Sequence, residues 1–220
     1  MSNENTSETD PARILDGIEA DARQTRQAMS PNQLLLFSLW GGAWVIAFIA
    51  VFFTFAPLAS PLLPRFLGVG IGILAFVLAI VISAVHSAKR GSGTNGPSMV
   101  EGAIYGNSFT LGIIFAGLLG WRLHAAGLDS MGLLTFALGA LCLVVGVLVI
   151  SGSLIFNDRT QLIFGVWIMA IGLLSLAVPA PYNLLAGAVG GLGLIVLGLL
   201  HGLKPALVAG EVVERGHARA

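Results

Sequence analysis

Six apolar stretches, each about as long as a helix must be to cross a bilayer, dominate this chain. They run 34–56, 66–86, 102–123, 131–156, 162–180 and 184–203, and a single Asp, Glu, Lys or Arg (Arg122) falls inside them. A hydrocarbon layer about 30 Å thick is crossed by about 20 helical residues. Barrel strands would instead alternate apolar and polar residues over about ten positions, and none of the stretches does. The expectation is therefore an all-α membrane protein with six transmembrane helices. Composition agrees: 56% of residues are hydrophobic and 10% charged, against about 45–50% and about 25% in soluble domains.

Short connectors make neighbouring spans antiparallel, which predicts three helical hairpins over 34–86, 102–156 and 162–203. The connectors carry turn chemistry: "PLASPLLPR" at 57–65, "SAKRGSGTNGPS" at 87–98, "NDRT" at 157–160 and "PAPYN" at 179–183. Helix starts are expected at Ser30 with Pro31 and Gln33, at Ser98 with Glu101, and at Asp158 with Gln161. The chain thus divides into a tail (1–33), a transmembrane domain (34–203) and a second tail (204–220). Within the first tail, Ile14, Leu15, Ile18, Ala22 and Met29 recur near helical spacing over 11–29, after Asp10-Pro11. This predicts an N-terminal amphipathic cytoplasmic helix. It lies on the bilayer or the underside of the bundle, or else docks a cytoplasmic protein. Six acids before Ala22 argue against strong binding to anionic lipid.

Orientation follows from the basic residues. Arg13, Arg23, Arg26, Lys89, Arg90, Arg159, Lys204, Arg215 and Arg219 fall on one side of the spans, and only Arg65 and Arg122 on the other. The positive-inside rule then puts both termini in the cytoplasm, and the expected location is a bacterial inner membrane. The net charge is zero, so nucleic acid is not expected as a partner. The bilayer is, and a homo-oligomer is left open. Cys142 is the only cysteine, which excludes an intrachain disulfide and a cysteine-based zinc site. No secretory signal pattern is seen ahead of the first span.

Three odd-numbered spans share an aromatic–glycine pair near their starts: Trp40-Gly41 within "LWGGAW", Tyr105-Gly106 and Phe164-Gly165. Their separations, with the related endings "HSAK" at 86–89 and "HGLK" at 201–204, suggest a hairpin used three times around an axis near the membrane normal. Lipid offers helices little hydrophobic drive to associate, so small residues that admit close backbone contact matter. Gly68/Gly72, Gly102/Gly106 and Gly187/Gly191 have that spacing. Trp40, Trp44, Tyr105 and Trp167 are expected at the headgroup boundaries.

Chemistry within the spans is sparse. All eleven acidic residues lie outside them, which argues against a carboxylate proton relay and against paired acid/base catalysis. His86, Asn107, Ser151 and His201, with Ser83 and Ser153, fall in one half of the bilayer or at its edge. Either they line a small vestibule open to the cytoplasm, or they bond backbone and headgroups. No phosphate loop, His-Glu-x-x-His or Gly-x-Ser-x-Gly pattern occurs. No enzyme, cofactor or metal is expected. The expected role is an accessory or sensor component of the membrane, with a small-solute transporter or permease as the alternative.

A polar Glu- and Arg-containing tail, then Pro31-Asn32, then "LWGGAWVIAF" resembles uncharacterised six-helix integral membrane proteins of actinobacteria. The last hairpin, "GVWIMAIGLLSLAVPAPYNLLAGAVGGLGLIVLG", resembles the repeated hairpins of the acid-resistance membrane protein family, which implies three hairpins. Neither resemblance implies catalytic residues.

Overall fold

A computed structural model of the chain describes residue 17 and residues 32–57, 62–91, 97–210 and 212. The expected amphipathic segment 11–29, residue 17 apart, and the cap at Ser30-Pro31 lie outside the described residues. Six long helices follow: α1 (Gln33–Phe55), α2 (Arg65–Gly91), α3 (Pro97–Ala125), α4 (Ser130–Ile155), α5 (Arg159–Ala177) and α6 (Asn183–Leu203). A short α7 (Pro205–Val208) closes the series. The described residues contain no strand. All six long helices are long and apolar enough to cross a membrane, so the chain is a multi-pass, all-α membrane protein.

Helix starts are set by side-chain oxygens that accept otherwise unpaired first-turn N–H groups. Asn32, not Ser30, caps α1 by accepting from Leu35 N at 3.2 Å. Asp129 caps α4 through Gly132 N at 2.8 Å, and Asp158 caps α5 through Thr160 N at 2.8 Å. α3 begins at Pro97, so Ser98 sits inside its first turn rather than at the cap.

The helices pack as a curved row in the order α2, α1, α6, α5, α4, α3. Each chain neighbour from α3 to α6 touches the next, and α6 comes back onto α1 in the most extensive contact of the fold. This is a ring taken in chain order and opened at one seam, between α2 and α3. The core gathers where α1, α4, α5 and α6 meet: Trp44, Phe48, Leu138, Cys142, Ile168, Ile171, Leu184, Ala188 and Leu194.

In helices this apolar all round, shape rather than polarity selects the buried face. A Cβ added to Gly41 would lie 2.5 Å from the Gly191 carbonyl oxygen, and one on Gly187 would lie 2.7 Å from the Phe48 ring. Gly198 and Gly202 continue the same line of α6 against Phe37 and Leu34. Between α4 and α5, Gly165 faces Ile150 and the Gly146 carbonyl, and Gly172 faces Cys142. Gly68 meets Thr54 and the Ala50 carbonyl of α1, while Gly72 has ordinary contacts with Val51 and Ala47. Gly102 and Gly106 meet nothing within 4 Å, so this expected packing pair packs on nothing among the described residues.

The aromatic–glycine pairs follow one rule. Trp40 turns to α2 of its own hairpin and Tyr105 to α4 of its own, while Phe164 packs on the cluster of Phe37, Leu197 and Val208. The adjoining glycine faces the preceding hairpin: Gly41 meets α6 and Gly165 meets α4. Gly106, whose counterpart would be α2, meets nothing within 4 Å.

Candidate functional site

Polar side chains collect at the end of the bundle where α1, α3 and α5 begin. Their centre is the loop between α4 and α5. Asn157 adopts φ +50°, a left-handed conformation that asparagine tolerates better than most residues. The turn directs Asp158 back under the bundle, its N–H bonded to the Ser153 carbonyl at 2.9 Å. The Asp158 carboxylate then does two jobs: one oxygen caps α5, and the other accepts from Gln33 Nε2, on the first residue of α1, at 2.7 Å.

Thr160, two residues on, is fully buried. Its hydroxyl donates to the Val208 carbonyl at 3.3 Å and lies 3.2 Å from His201 Nδ1. A hydroxyl has one hydrogen. With that hydrogen given to Val208, the Thr160 oxygen keeps its lone pairs for a tautomer of His201 that carries its hydrogen on Nδ1. The chain after α6 is thereby folded back beneath α5, so residues 204–210 and Val212 lie on the bundle rather than trailing from it. Arg159 N donates to the Gly210 carbonyl at 2.9 Å and Val212 N to Asn157 Oδ1 at 3.0 Å, while Val208 packs with Phe37 and Leu197. Gln33 Oε1 and Gln161 Oε1 are buried here without a hydrogen-bond partner.

The arrangement links three helix ends and a returning segment through one carboxylate, one hydroxyl and one imidazole. Among the described residues no three His, Cys, Asp or Glu side chains are grouped as metal ligands. Thr160 and His201 resemble a nucleophile and its base, but the hydroxyl is buried and its hydrogen is committed to a carbonyl. The contact therefore reads as structural.

The expected vestibule residues are not brought together. His86 Nε2 accepts from Asn32 N at 3.3 Å, joining the end of α2 to the start of α1, whereas His201 is held at the start of α5. Asn107 is exposed on α3, and Ser151 is exposed with its hydroxyl on the Val147 carbonyl at 2.9 Å. Ser83 accepts the Trp40 indole N–H at 3.0 Å, and Ser153 bonds the Ile150 carbonyl. No hydrogen bond among the described residues joins any two of His86, Asn107, Ser151 and His201. The cause is the packing order: α1 stands between α2 and α6, so the two histidines meet different neighbours.

The interfacial aromatics make specific contacts, and Trp44 points into the core. Trp44 is 2% exposed, in the core against Phe48. Trp167 donates to the Gly190 carbonyl at 3.1 Å, across α5 and α6. Tyr105 lies over Gly152 between Phe109 and Phe156.

At the opposite end Asn183 is fully buried and donates to Thr135 Oγ1 at 3.3 Å. Two grooves flank α3, of about 440 and 530 Å³. Apolar residues such as Phe115, Leu143 and Met169 line the first, and Ile113, Leu133 and Trp121 the second. Cavities of this kind suit acyl chains rather than polar solutes. Sequence reasoning treated "NDRT" as a turn and missed its role. The readable signal was a capping sequence in register with polar residues, Gln33 and His201, at two other helix ends on the same side. No protein-family model, curated protein or solved structure matches the chain.

Proposed function

We propose that this protein is a non-catalytic component of a bacterial inner membrane, inserted with both termini in the cytoplasm. Its working surface is the end of the bundle built around Asp158, and it serves as an accessory or sensor subunit for a cytoplasmic partner. The observation that carries this reading is the cluster of Gln33, Asp158, Thr160 and His201, which holds the returning segment 204–210 at one end. Nine of eleven basic residues lie on that side of the spans, which supports a cytoplasmic placement. The helix contacts within the spans are mainly glycine crossings and apolar side chains, with a few isolated neutral hydrogen bonds such as Trp40 to Ser83 and no acidic residue in any span. A solute pathway would call for polar groups there.

The test places photo-cross-linking side chains at the exposed positions Arg159 and Lys204, and at Ala126 on the opposite end, in living cells. Adducts of one defined size are expected from Arg159 and Lys204 and not from Ala126. Purified protein in liposomes is expected to leave the permeability to small solutes unchanged. Saturable solute flux that is lost in His201→Ala would overturn the reading in favour of a transporter.

A further inference from the structure

The helix α3 is the least integrated part of the fold. None of its best apolar window is buried inside the chain. Its inner side is marked by Tyr105 on Gly152, Gly112 on Val144 and Gly120 on Phe136, all contacts with α4. At about 100° per residue, the opposite side carries Ala103, Asn107, Thr110, Ile114, Gly117 and Trp121. All six are exposed, at spacings of 4, 3, 4, 3 and 4. That alternation is the seam of two helices crossing at about +20°.

Exposure of apolar residues in a bilayer needs no partner, because lipid covers them. Asn107 is different. It lies five residues inside the span that begins at Gly102, roughly 7–8 Å along the axis. Its amide has no hydrogen-bond partner among the described residues. Acyl chains can neither donate to it nor accept from it, and its short side chain cannot reach far toward the headgroups. Thr110, one turn on, faces the same side, and Gly117 meets nothing within 4 Å, leaving room for a close backbone approach.

The geometry points to a second copy of this chain as the occupant, docked α3 against α3 about a twofold axis along the membrane normal. An amide both donates and accepts, so the same residue on the twofold-related helix satisfies both groups at once. Copies inserted in the same orientation bring identical helices together parallel and in register, as an isologous interface demands. A polar side chain at one position of such a seam is also what fixes register and strand number. The dimer forms on the side of α3 away from α4; Gly117 and Trp121 also edge the second groove, so that groove borders the interface while the first is left to lipid.

Oxidative cross-linking in native membranes tests this with single cysteines at Thr110 and Ile114 on the seam. Phe115, to one side of it, and Ile80 on α2 serve as exposed controls. The buried native Cys142 supplies the blank. Disulfide-linked dimers are expected from Thr110→Cys and Ile114→Cys and not from the controls. Equal cross-linking at all four positions, or none at the first two, overturns the proposal, as does a cross-link from the seam to a different protein. Asn107→Leu should weaken the dimer about 3- to 30-fold while the monomer keeps its unfolding temperature. An Asn107→Leu protein with an unchanged monomer–dimer equilibrium also overturns it.

Discussion

Gly41 on α1 and Gly191 on α6 face each other with no side chain between them: a Cβ on Gly191 would lie 2.6 Å from the Gly41 carbonyl oxygen and 2.8 Å from Trp44 Cβ. Because the obstacles are mostly backbone, neither helix can yield without moving along its length. Gly41→Ala should therefore cost about 1–3 kcal/mol, and Gly191→Leu at least as much, by overpacking. Gly106→Ala, whose new methyl meets nothing, should stay within about 0.5 kcal/mol of the parent. Unfolding in mixed micelles ranks the three. A Gly191→Leu protein as stable as the parent would show that α1 and α6 do not cross there.

The Asp158 carboxylate joins two helix starts, so its removal should be felt at both. Asp158→Ala deletes the α5 cap, worth about 1 kcal/mol, and leaves Gln33 Nε2 without its acceptor. A total of about 1–3 kcal/mol is expected. Asp158→Asn should cost less. An asparagine oxygen still caps α5, and Gln33 can turn its unpartnered Oε1 toward the new amide. If Asn proves as damaging as Ala, the charge matters and the acceptor geometry does not.

The span limits were legible because length and lack of charge carry them. Reading 34–56 against the observed Gln33–Phe55, and 184–203 against Asn183–Leu203, leaves differences of one residue, while 66–86 and 102–123 each miss one end of Arg65–Gly91 and Pro97–Ala125 by five, where polar residues continue the helix past the apolar run. What each span faces was not legible, and "LWGGAW" shows why. Trp40 turns to α2, Gly41 to α6 and Trp44 to the core, so three neighbours read three sides of one helix. A helix apolar on every side offers no polar face to subtract. Trp44 therefore looked like a boundary residue, and Gly102 and Gly106 like a packing pair. That His86 and His201 take different partners was hidden for a related reason. Sequence placed His86, Asn107, Ser151 and His201 at similar depth in the bilayer, but depth says nothing about direction around the axis. The cluster at Asp158 escaped because its partners are some 125 and 40 positions away (Gln33 at 125, His201 at 41 from Thr160), and only the fold joins them.

Thr160 tests whether the returning segment is held by its hydroxyl or by packing of Val208 alone. Thr160→Val keeps the shape and deletes the hydroxyl. The Val208 carbonyl and His201 Nδ1 then lose their shared partner in a buried site, at an expected cost of about 1–3 kcal/mol. The loss should be local. Hydrogen exchange over residues 204–212 should speed up, while exchange in the α1–α6 crossing stays slow, because local opening follows local contacts. Uniform acceleration along the whole chain would assign Thr160 to the global core instead.

Orientation can be read with Cys142 left in place, since at 1% exposure in the core it should not react. Lys204 is exposed at the end of the bundle that carries the Asp158 cluster, and Ala126 is exposed at the opposite end, just past α3. Nine basic residues against two are enough to fix insertion when they flank short loops. Arg65 does not weaken the bias, because it sits at the start of α2, beyond the end of α1, with its guanidinium 5.6 Å from the Phe55 ring. In intact cells a membrane-impermeant maleimide should label Ala126→Cys at once. Lys204→Cys should be labelled only after permeabilisation. The reverse order would place the Asp158 cluster outside the cell and end the case for a cytoplasmic partner, while labelling of both would mean that the chain inserts in two orientations.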